Sequence, residues 1–366
     1  VENLVTPEPG FWAGKRVLVL GHTGFKGAWL SLWLHRRGAN VFGLSLPPAG
    51  EPNLFTAAAL VSVVDTTYAD IRDLGSVTGT MERIEPQIVI HLAAQSLVRL
   101  SYREPVATYA TNVMGTVHVL AAAQATASVR VVVVATSDKC YENREWLWAY
   151  REDEKLGGHD PYSSSKACAE LVTAAWRRSF CPPGGARQMA IASVRAGNVF
   201  GGGDWAEDRL VPDCMRALTS GRPIGIRNPR STRPWQHVLD PLSGYLMLAE
   251  RLWGEPEIHA EAWNFGPSED DIRPVAWIAS RIVELWGDGA RWEAIVGDER
   301  HEAQLLKVDA AKARARLGWS PRLPLETGLN WMVDWYRAYS QGRAARGLTE
   351  RQIARFDKLS STAPVS

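Results

Sequence analysis

No apolar run in the 366 residues approaches the roughly 20 needed to cross a bilayer, so no membrane-spanning segment is expected. Charge of one sign is missing as well. The 41 Lys and Arg against 40 Asp and Glu leave a net charge of +1, which gives no electrostatic footing for nucleic acid or an anionic membrane. Cysteine is sparse: Cys140, Cys168, Cys181 and Cys214 show no paired metal spacing, so no metal site is expected and reduced thiols in a cytoplasm are. The opening Val1-Glu2-Asn3-Leu4-Val5 lacks a basic stretch followed by an apolar one, so it is not expected to be a secretory signal. Internal repeats and low-complexity tracts are absent too. The remainder, 46% apolar and 22% charged, is ordinary globular material, and the length allows two packed units. Tryptophan is abundant instead. Trp29, Trp33, Trp277, Trp286, Trp331 and Trp335 fall in helix-like stretches, where packing is their expected task.

The stretch that carries chemistry runs from residue 130 to 166. Val131-Val132-Val133-Val134-Ala135 has the continuous apolar character of a parallel strand buried on both faces. It meets Thr136-Ser137-Asp138-Lys139, polar residues at the carboxyl end of a strand, where open α/β sheets bind ligands. Tyr162 and Lys166 follow, four residues apart, so on a helix they share one face. An ammonium near a phenol favours phenolate and lowers its pKa. Ser137, Asp138, Lys139, Tyr162 and Lys166 therefore form a candidate proton-transfer site.

Upstream, the strand at residues 16–20 runs into Gly21-His22-Thr23-Gly24-Phe25-Lys26-Gly27 and a helix that ends near Gly38. Glycines there allow a tight turn and close approach of a pyrophosphate, and the helix start offers N–H groups to it. Residues 40–46 form the second strand, which ends in Ser45 rather than the Asp or Glu that grips a ribose 2′-hydroxyl in NAD proteins. Ser45 alone leaves NADP open. A further strand is expected at residues 61–65, and another at 87–95, whose Leu92, Ala93 and Ala94 are small enough for a cofactor to come close. His91, near that strand's interior, is expected to be a core histidine. Residues 106–126 suggest a long amphipathic helix, and 189–194 a sixth strand. Beyond residue 203 the simple alternation ends, and helices and short extended segments mix.

G-x-x-G-x-x-G, then a hydroxyl residue after the buried strand, then Y-x-x-x-K, together resemble the extended short-chain dehydrogenase/reductase family. The wording Thr136-Ser137-Asp138-Lys139-Cys140-Tyr141, with Gly-His-Thr-Gly-Phe-Lys-Gly, is similar to its CDP-glucose dehydratase branch. The resemblance spans roughly residues 12–335. It implies an α/β fold: a Rossmann-type doubly wound parallel sheet over residues 12–203, completed by later segments near 235–265. A smaller, mixed α/β substrate domain is then expected over 204–340, interleaved with the first, and a polar tail over 341–366 that is partly helical at residues 349–356.

The resemblance also implies NAD as cofactor, with NADP not excluded, and a nucleotide-sugar substrate. It implies a homodimer or higher homo-oligomer in which the residue 106–126 helix and the Tyr162 helix pair across the interface. Ser137, Tyr162 and Lys166 would run hydride transfer at sugar C4; Asp138 as acid and Lys139 as base would remove water across C5 and C6. Gly21, Thr23, Gly24, Phe25, Lys26, Gly27, Ser45, Asp70, Ile71, Leu92, Ala93 and Ala94 would hold the cofactor with Tyr162 and Lys166. Asn198, Arg209, Arg233, Arg300 and His301 would hold the substrate, while Asn112 would order the site through the backbone. The aromatic loop 141–159 suggests a lid, a wall of the sugar site or an interface. Another nucleotide-sugar dehydratase or a C4 epimerase is the alternative enzyme, and a non-catalytic dinucleotide-binding regulator the alternative of another class.

Overall fold

Strands made only of Val, Ile and Leu need apolar cover on both faces, and this chain supplies it from both sides. The computed structural model describes residues 10–182, 189–295 and 304–359. Among them the first strands are β1 (Arg16–Leu20), β2 (Asn40–Ser45), β3 (Asp65–Tyr68), β4 (Ile88–His91), β5 (Val131–Ala135) and β6 (Ala190–Ala196). Then come β7 (Asn198–Phe200), β8 (Ile224–Ile226), β9 (Thr232–His237), β10 (Ala262–Phe265), β11 (Ile272–Pro274) and β12 (Trp292–Ala294).

Seven strands make one parallel sheet in the order β10-β6-β5-β4-β1-β2-β3. Its two faces bury different cores. Val131 and Val133 join Trp29, Trp33 and Leu246 on one side. Val132 and Val134 join Val77, Met81 and Leu120 on the other. The strand order reverses between β1 and β4, so their carboxyl ends open a crevice of the kind that receives ligands in doubly wound sheets. β10 comes from far down the chain to close the edge beside β6. A three-stranded sheet, β11-β9-β7, and a parallel pair, β12-β8, lie outside the main sheet.

Two local expectations change. Residues 60–62 form a short 3₁₀ turn, and β3 starts only at Asp65. Val61 is exposed while Leu60 and Val64 are buried, a spacing of four that suits a helical turn better than alternation. The long helix is Pro105–Tyr109 and Gly115–Ala125 joined through a π turn, Ala110–Met114. In the polar tail the helix expected over residues 349–356 is present and longer, Ala345–Asp357, with Ile353 and Phe356 fully buried; Phe356 meets Trp33 edge-on. Its charged residues cover one face, and the few apolar ones anchor the other. The tryptophans pack as expected: Trp29, Trp33, Trp331 and Trp335 are buried, and Trp277 and Trp286 lie against the same core.

Candidate active site

A cavity of about 1110 Å³ follows the carboxyl edge of the sheet. Single-ligand pockets commonly run to about 1,000 Å³, so this one has room for more than one small molecule. At one end lies the glycine loop. Gly21 has φ +85, and a Cβ there would come within 2.7 Å of Ala93 N. A Cβ on Gly27 would lie 2.1 Å from Gly21 O, so that glycine lets the helix Phe25–Arg36 pack onto its own loop. Gly24 differs: an added Cβ would meet nothing closer than 3.4 Å, and the residue lines the cavity. No side chain caps this helix and its first turn holds no acid, so its N–H groups remain available to an anion. A dinucleotide's pyrophosphate fits such a cradle.

Thr23, Phe25, Lys26, Ser45, Asp70, Ile71, Leu92, Ala93 and Ala94 line the same cavity. The Ser45 and Thr23 hydroxyls are 2.7 Å apart, and Thr23 also donates to Leu46 O. Asp70 is already gripped by Arg72, at 2.8 and 2.6 Å, which holds its carboxyl below the usual range. Behind the loop, the His22 imidazole fills the space left by Gly43, where a Cβ would lie 2.3 Å from the ring. His91 is buried with Nε2 3.2 Å from Thr116 Oγ1, the core histidine expected.

At the other end β5 delivers Ser137, Asp138 and Lys139, and the helix Pro161–Phe180 delivers Tyr162 and Lys166; all five line the cavity. Asp160 caps that helix by accepting from Ser163 N at 2.9 Å, and Pro161 occupies its first position. Ser137 Oγ accepts from Lys139 N at 3.2 Å and donates to Asp138 Oδ1 at 3.0 Å. Asn112, from the π turn, bonds both N and O of Gln95 and reaches Ser165 Oγ at 2.8 Å. It thereby ties the loop after β4 to the Tyr162 helix.

The electrostatics depart from expectation in one respect. Burial pushes the Tyr162 phenol up to about 12; a hydrogen bond with Ser137 draws it down and the Asp138 charge opposes that. Lys166 donates to Ala135 O at 3.2 Å, and burial together with the Lys26 charge lowers it to about 8. Burial of the phenolate, rather than the neighbouring Lys166, thus sets the direction of the phenol's shift. Burial raises Asp138, against the pull of Lys139, Ser137, Arg233 and Lys26, and its Oδ2 makes no hydrogen bond among the described residues. Lys26 is lowered to about 8, first by burial and then by Arg209.

Asn198, Arg209 and Arg233 line the substrate-side wall. Arg209 bonds Ser96 Oγ at 2.7 Å and Asp204 at 3.2 Å. Arg300 and His301 lie outside the described residues. The aromatic loop contributes nothing to the cavity lining; Tyr141 stacks on Tyr150 instead, and Trp146 lies tilted against Tyr150 and against Trp148, which is itself exposed. Sequence reasoning passed over a second wall cluster. Arg99 and Arg227 converge on Asp208, at 3.6 and 3.2 Å, in a residue with φ +57. Three segments far apart in the chain supply them, so no local spacing announces the group.

A doubly wound sheet with a glycine cradle at its switch point and a Ser, Tyr, Lys set beyond it defines a dinucleotide-dependent enzyme class. Residues 17–266 match the NAD dependent epimerase/dehydratase family, and the chain belongs to that family. It is 49% identical over 97% of its length to the CDP-glucose 4,6-dehydratase of Salmonella typhimurium, covering 99% of that protein. Identity to the UDP-glucose 4-epimerase of Mycolicibacterium smegmatis is 27%, over 89% of this chain and all of that one. The fold matches DesIV, a dTDP-glucose 4,6-dehydratase from Streptomyces venezuelae with NAD and TYD bound, at a TM-score of 0.76 and 24% identity. That match covers 89% of this chain and 98% of the other.

Proposed function

We propose that this chain is an NAD-dependent hydro-lyase that converts CDP-D-glucose to CDP-4-keto-6-deoxy-D-glucose. One observation carries the reading: an acid and an amine, Asp138 and Lys139, follow the Ser137 hydroxyl in a single turn beside Tyr162. An epimerase needs no such pair. The 49% identity to a CDP-glucose 4,6-dehydratase supports the base and sugar.

NAD, when bound, accepts a hydride from C4 and supplies one to C6. The glycine loop and helix start hold its pyrophosphate, Thr23, Ser45, Asp70 and Ile71 line its adenosine end, and Lys166 holds the nicotinamide ribose. Ser137 orients the C4 hydroxyl, and Tyr162 takes its proton as C4 becomes a ketone. Burial keeps that phenol protonated in the resting protein, so it must first release its proton to solvent, as positive charge is brought beside it, and the resulting phenolate is what accepts the C4 proton. The ketone acidifies C5–H, and Lys139 removes that proton. Asp138, which burial keeps protonated more readily than an exposed aspartate, passes its proton to the departing C6 hydroxyl, and water leaves. Lys139 returns a proton to C5 as C6 is reduced, and the proton that Tyr162 took from the C4 hydroxyl replaces the one Asp138 gave to the water, so the sum is substrate going to product plus one water. Asn198, Arg209 and Arg233 hold the nucleotide diphosphate.

The deciding measurement is a panel of CDP-, dTDP-, UDP- and GDP-glucose with added NAD, read by the ultraviolet signal of a 4-keto-6-deoxy sugar. Conversion of CDP-glucose above the rest is expected. A C4 epimer without water loss would replace this reading by an epimerase.

The protein works as a homodimer in this proposal. Val106, Tyr109 and Met114 are exposed on the segment that packs against the Tyr162 helix, where Leu171 and Phe180 are exposed too. A second copy of the chain covers this apolar face. Sedimentation of Leu171→Glu should show a smaller species than wild type; an unchanged mass would remove these residues from the interface. Among the described residues no helix is long and apolar enough to cross a membrane, and none of the four cysteines is in a disulfide. A cytoplasmic location suits both.

A further inference from the structure

Behind the catalytic turn, away from the cavity, lies a buried ion pair that the mechanism above does not use. Glu170 and Arg195 are 3% exposed at their side chains and meet at 2.8 Å. Glu170 is the third residue of a stripe on the helix Pro161–Phe180, four beyond Lys166 and eight beyond Tyr162, so it shares their face. Its Oε1 accepts from Thr136 Oγ1 at 2.5 Å, and Oε2 accepts from Ser193 Oγ at 2.7 Å and Arg195 Nη2 at 2.8 Å. Arg195 Nη1 donates to the Tyr141 hydroxyl at 2.8 Å, which donates in turn to Asn264 Oδ1 at 2.7 Å.

Thr136 and Tyr141 bracket the turn Asp138–Cys140. The residue before Ser137 and the residue after Cys140 are thus both tied to one ion pair, and that pair stands on the helix of Tyr162 and Lys166. Removing two charges from water is expensive, and packed apolar residues of similar size would stabilise the fold as well. A pair kept here has a use in geometry. Tyr141 does not line the cavity, so its hydroxyl acts on chemistry only through position.

We propose that the Glu170–Arg195 pair is a positioning device that sets the acid–amine turn, Asp138 and Lys139, against Tyr162 and Lys166, with Thr136 and Tyr141 as its two ties. The inference rests on the dehydratase reading. Hydride removal needs Tyr162, Lys166 and Ser137; water loss needs Asp138 and Lys139 as well, at the far side of the turn. Loosening a tie moves the second set relative to the first. A displacement near 1 Å costs on the order of 100-fold in rate when reacting groups must be aligned.

The test follows both steps in one mixing experiment with CDP-glucose and NAD. Absorbance of reduced nicotinamide reports C4 oxidation, and the 4-keto-6-deoxy product reports the completed sequence. Tyr141→Phe keeps the ring and removes the hydroxyl, and with it the tie to Arg195 and the bond to Asn264 Oδ1. It should slow product formation about tenfold or more while C4 oxidation changes less than about threefold, so reduced nicotinamide accumulates in transit. Thr136→Val should act in the same direction, and Thr136→Ser, which retains the hydroxyl, should restore the wild-type ratio. The double variant should fall short of the sum of the two, because both ties hold one turn. An unchanged ratio of the two rates, with or without a lower melting temperature, overturns the positioning role. Wild-type protein that fails to convert CDP-glucose overturns the dehydratase reading itself and this inference with it.

Discussion

At the scale of single residues, two substitutions divide the chemistry. Tyr162→Phe keeps a buried ring and removes the group that takes the C4 proton. C4 oxidation should fall about 100- to 10,000-fold, the usual worth of general acid–base help, with cofactor still bound. Lys139→Met should instead retain cofactor binding and C4 oxidation but lose exchange of the C5 proton with heavy water. Undiminished exchange would take Lys139 out of the mechanism. The sequence made these residues visible because Tyr162 and Lys166 lie four apart on a helix and the other three adjoin a buried strand. It left others obscure. Glu170 repeats the same four-residue step, yet nothing local reveals that Arg195, 25 positions away, meets it in the interior. The electrostatic expectation for Tyr162 also erred. Proximity in the chain said that Lys166 is near, and only the fold shows how far burial raises the phenol.

At the scale of elements, the glycine loop offers a sharp contrast. Gly27→Ala would force a methyl to within 2.1 Å of Gly21 O, so the loop must open and the pyrophosphate cradle with it. NAD affinity measured by titration calorimetry should fall more than about tenfold, a loss of roughly 1.4 kcal/mol or more. Gly79→Ala is the control. It sits in the helix Leu74–Ile84 with open space around its Cβ position, and should stabilise the protein by about 0.5–1 kcal/mol. Elements with one strong signal, such as the valine run of β5, were legible in advance. β3 was displaced because Leu60 and Val64 bury at helical spacing, and the π turn at Ala110–Met114 depends on partners of Asn112 that lie elsewhere in the chain. The tail helix was legible over residues 349–356, and the structure extends it to Ala345–Asp357, with Ile353 and Phe356 on its buried face.

At the scale of the whole molecule, His22, His91, His237 and His259 are buried and burial holds each below its ordinary value, which makes the fold sensitive to acid. Burial lowers His22 to about 4, opposed by a bond to the Leu44 backbone, and lowers His91 and His237 to about 3. Each must be neutral in the fold but gains a proton near pH 6.5 when unfolded. A depressed folded-state value means that their contribution is complete above about 6.5 and drains away as pH falls toward 3–4. Asp240 acts in the opposite sense. Burial raises it to about 7, so its contribution is largest in acid and is lost as pH rises through 7. Between pH 6 and 4 unfolding takes up about one proton at each of His22, His91 and His237, roughly 1.4 kcal/mol of stability lost per pH unit apiece. The carboxyls that burial raises, Asp240 and Asp138 among them, offset part of that slope. Urea melts from pH 7 down to 4 should show that slope, and His91→Asn should reduce it by about one proton's share, roughly 1.4 kcal/mol per unit. A profile flat from 7 to 4, or one that His91→Asn leaves unchanged, would mean that the buried imidazoles are not what acid attacks.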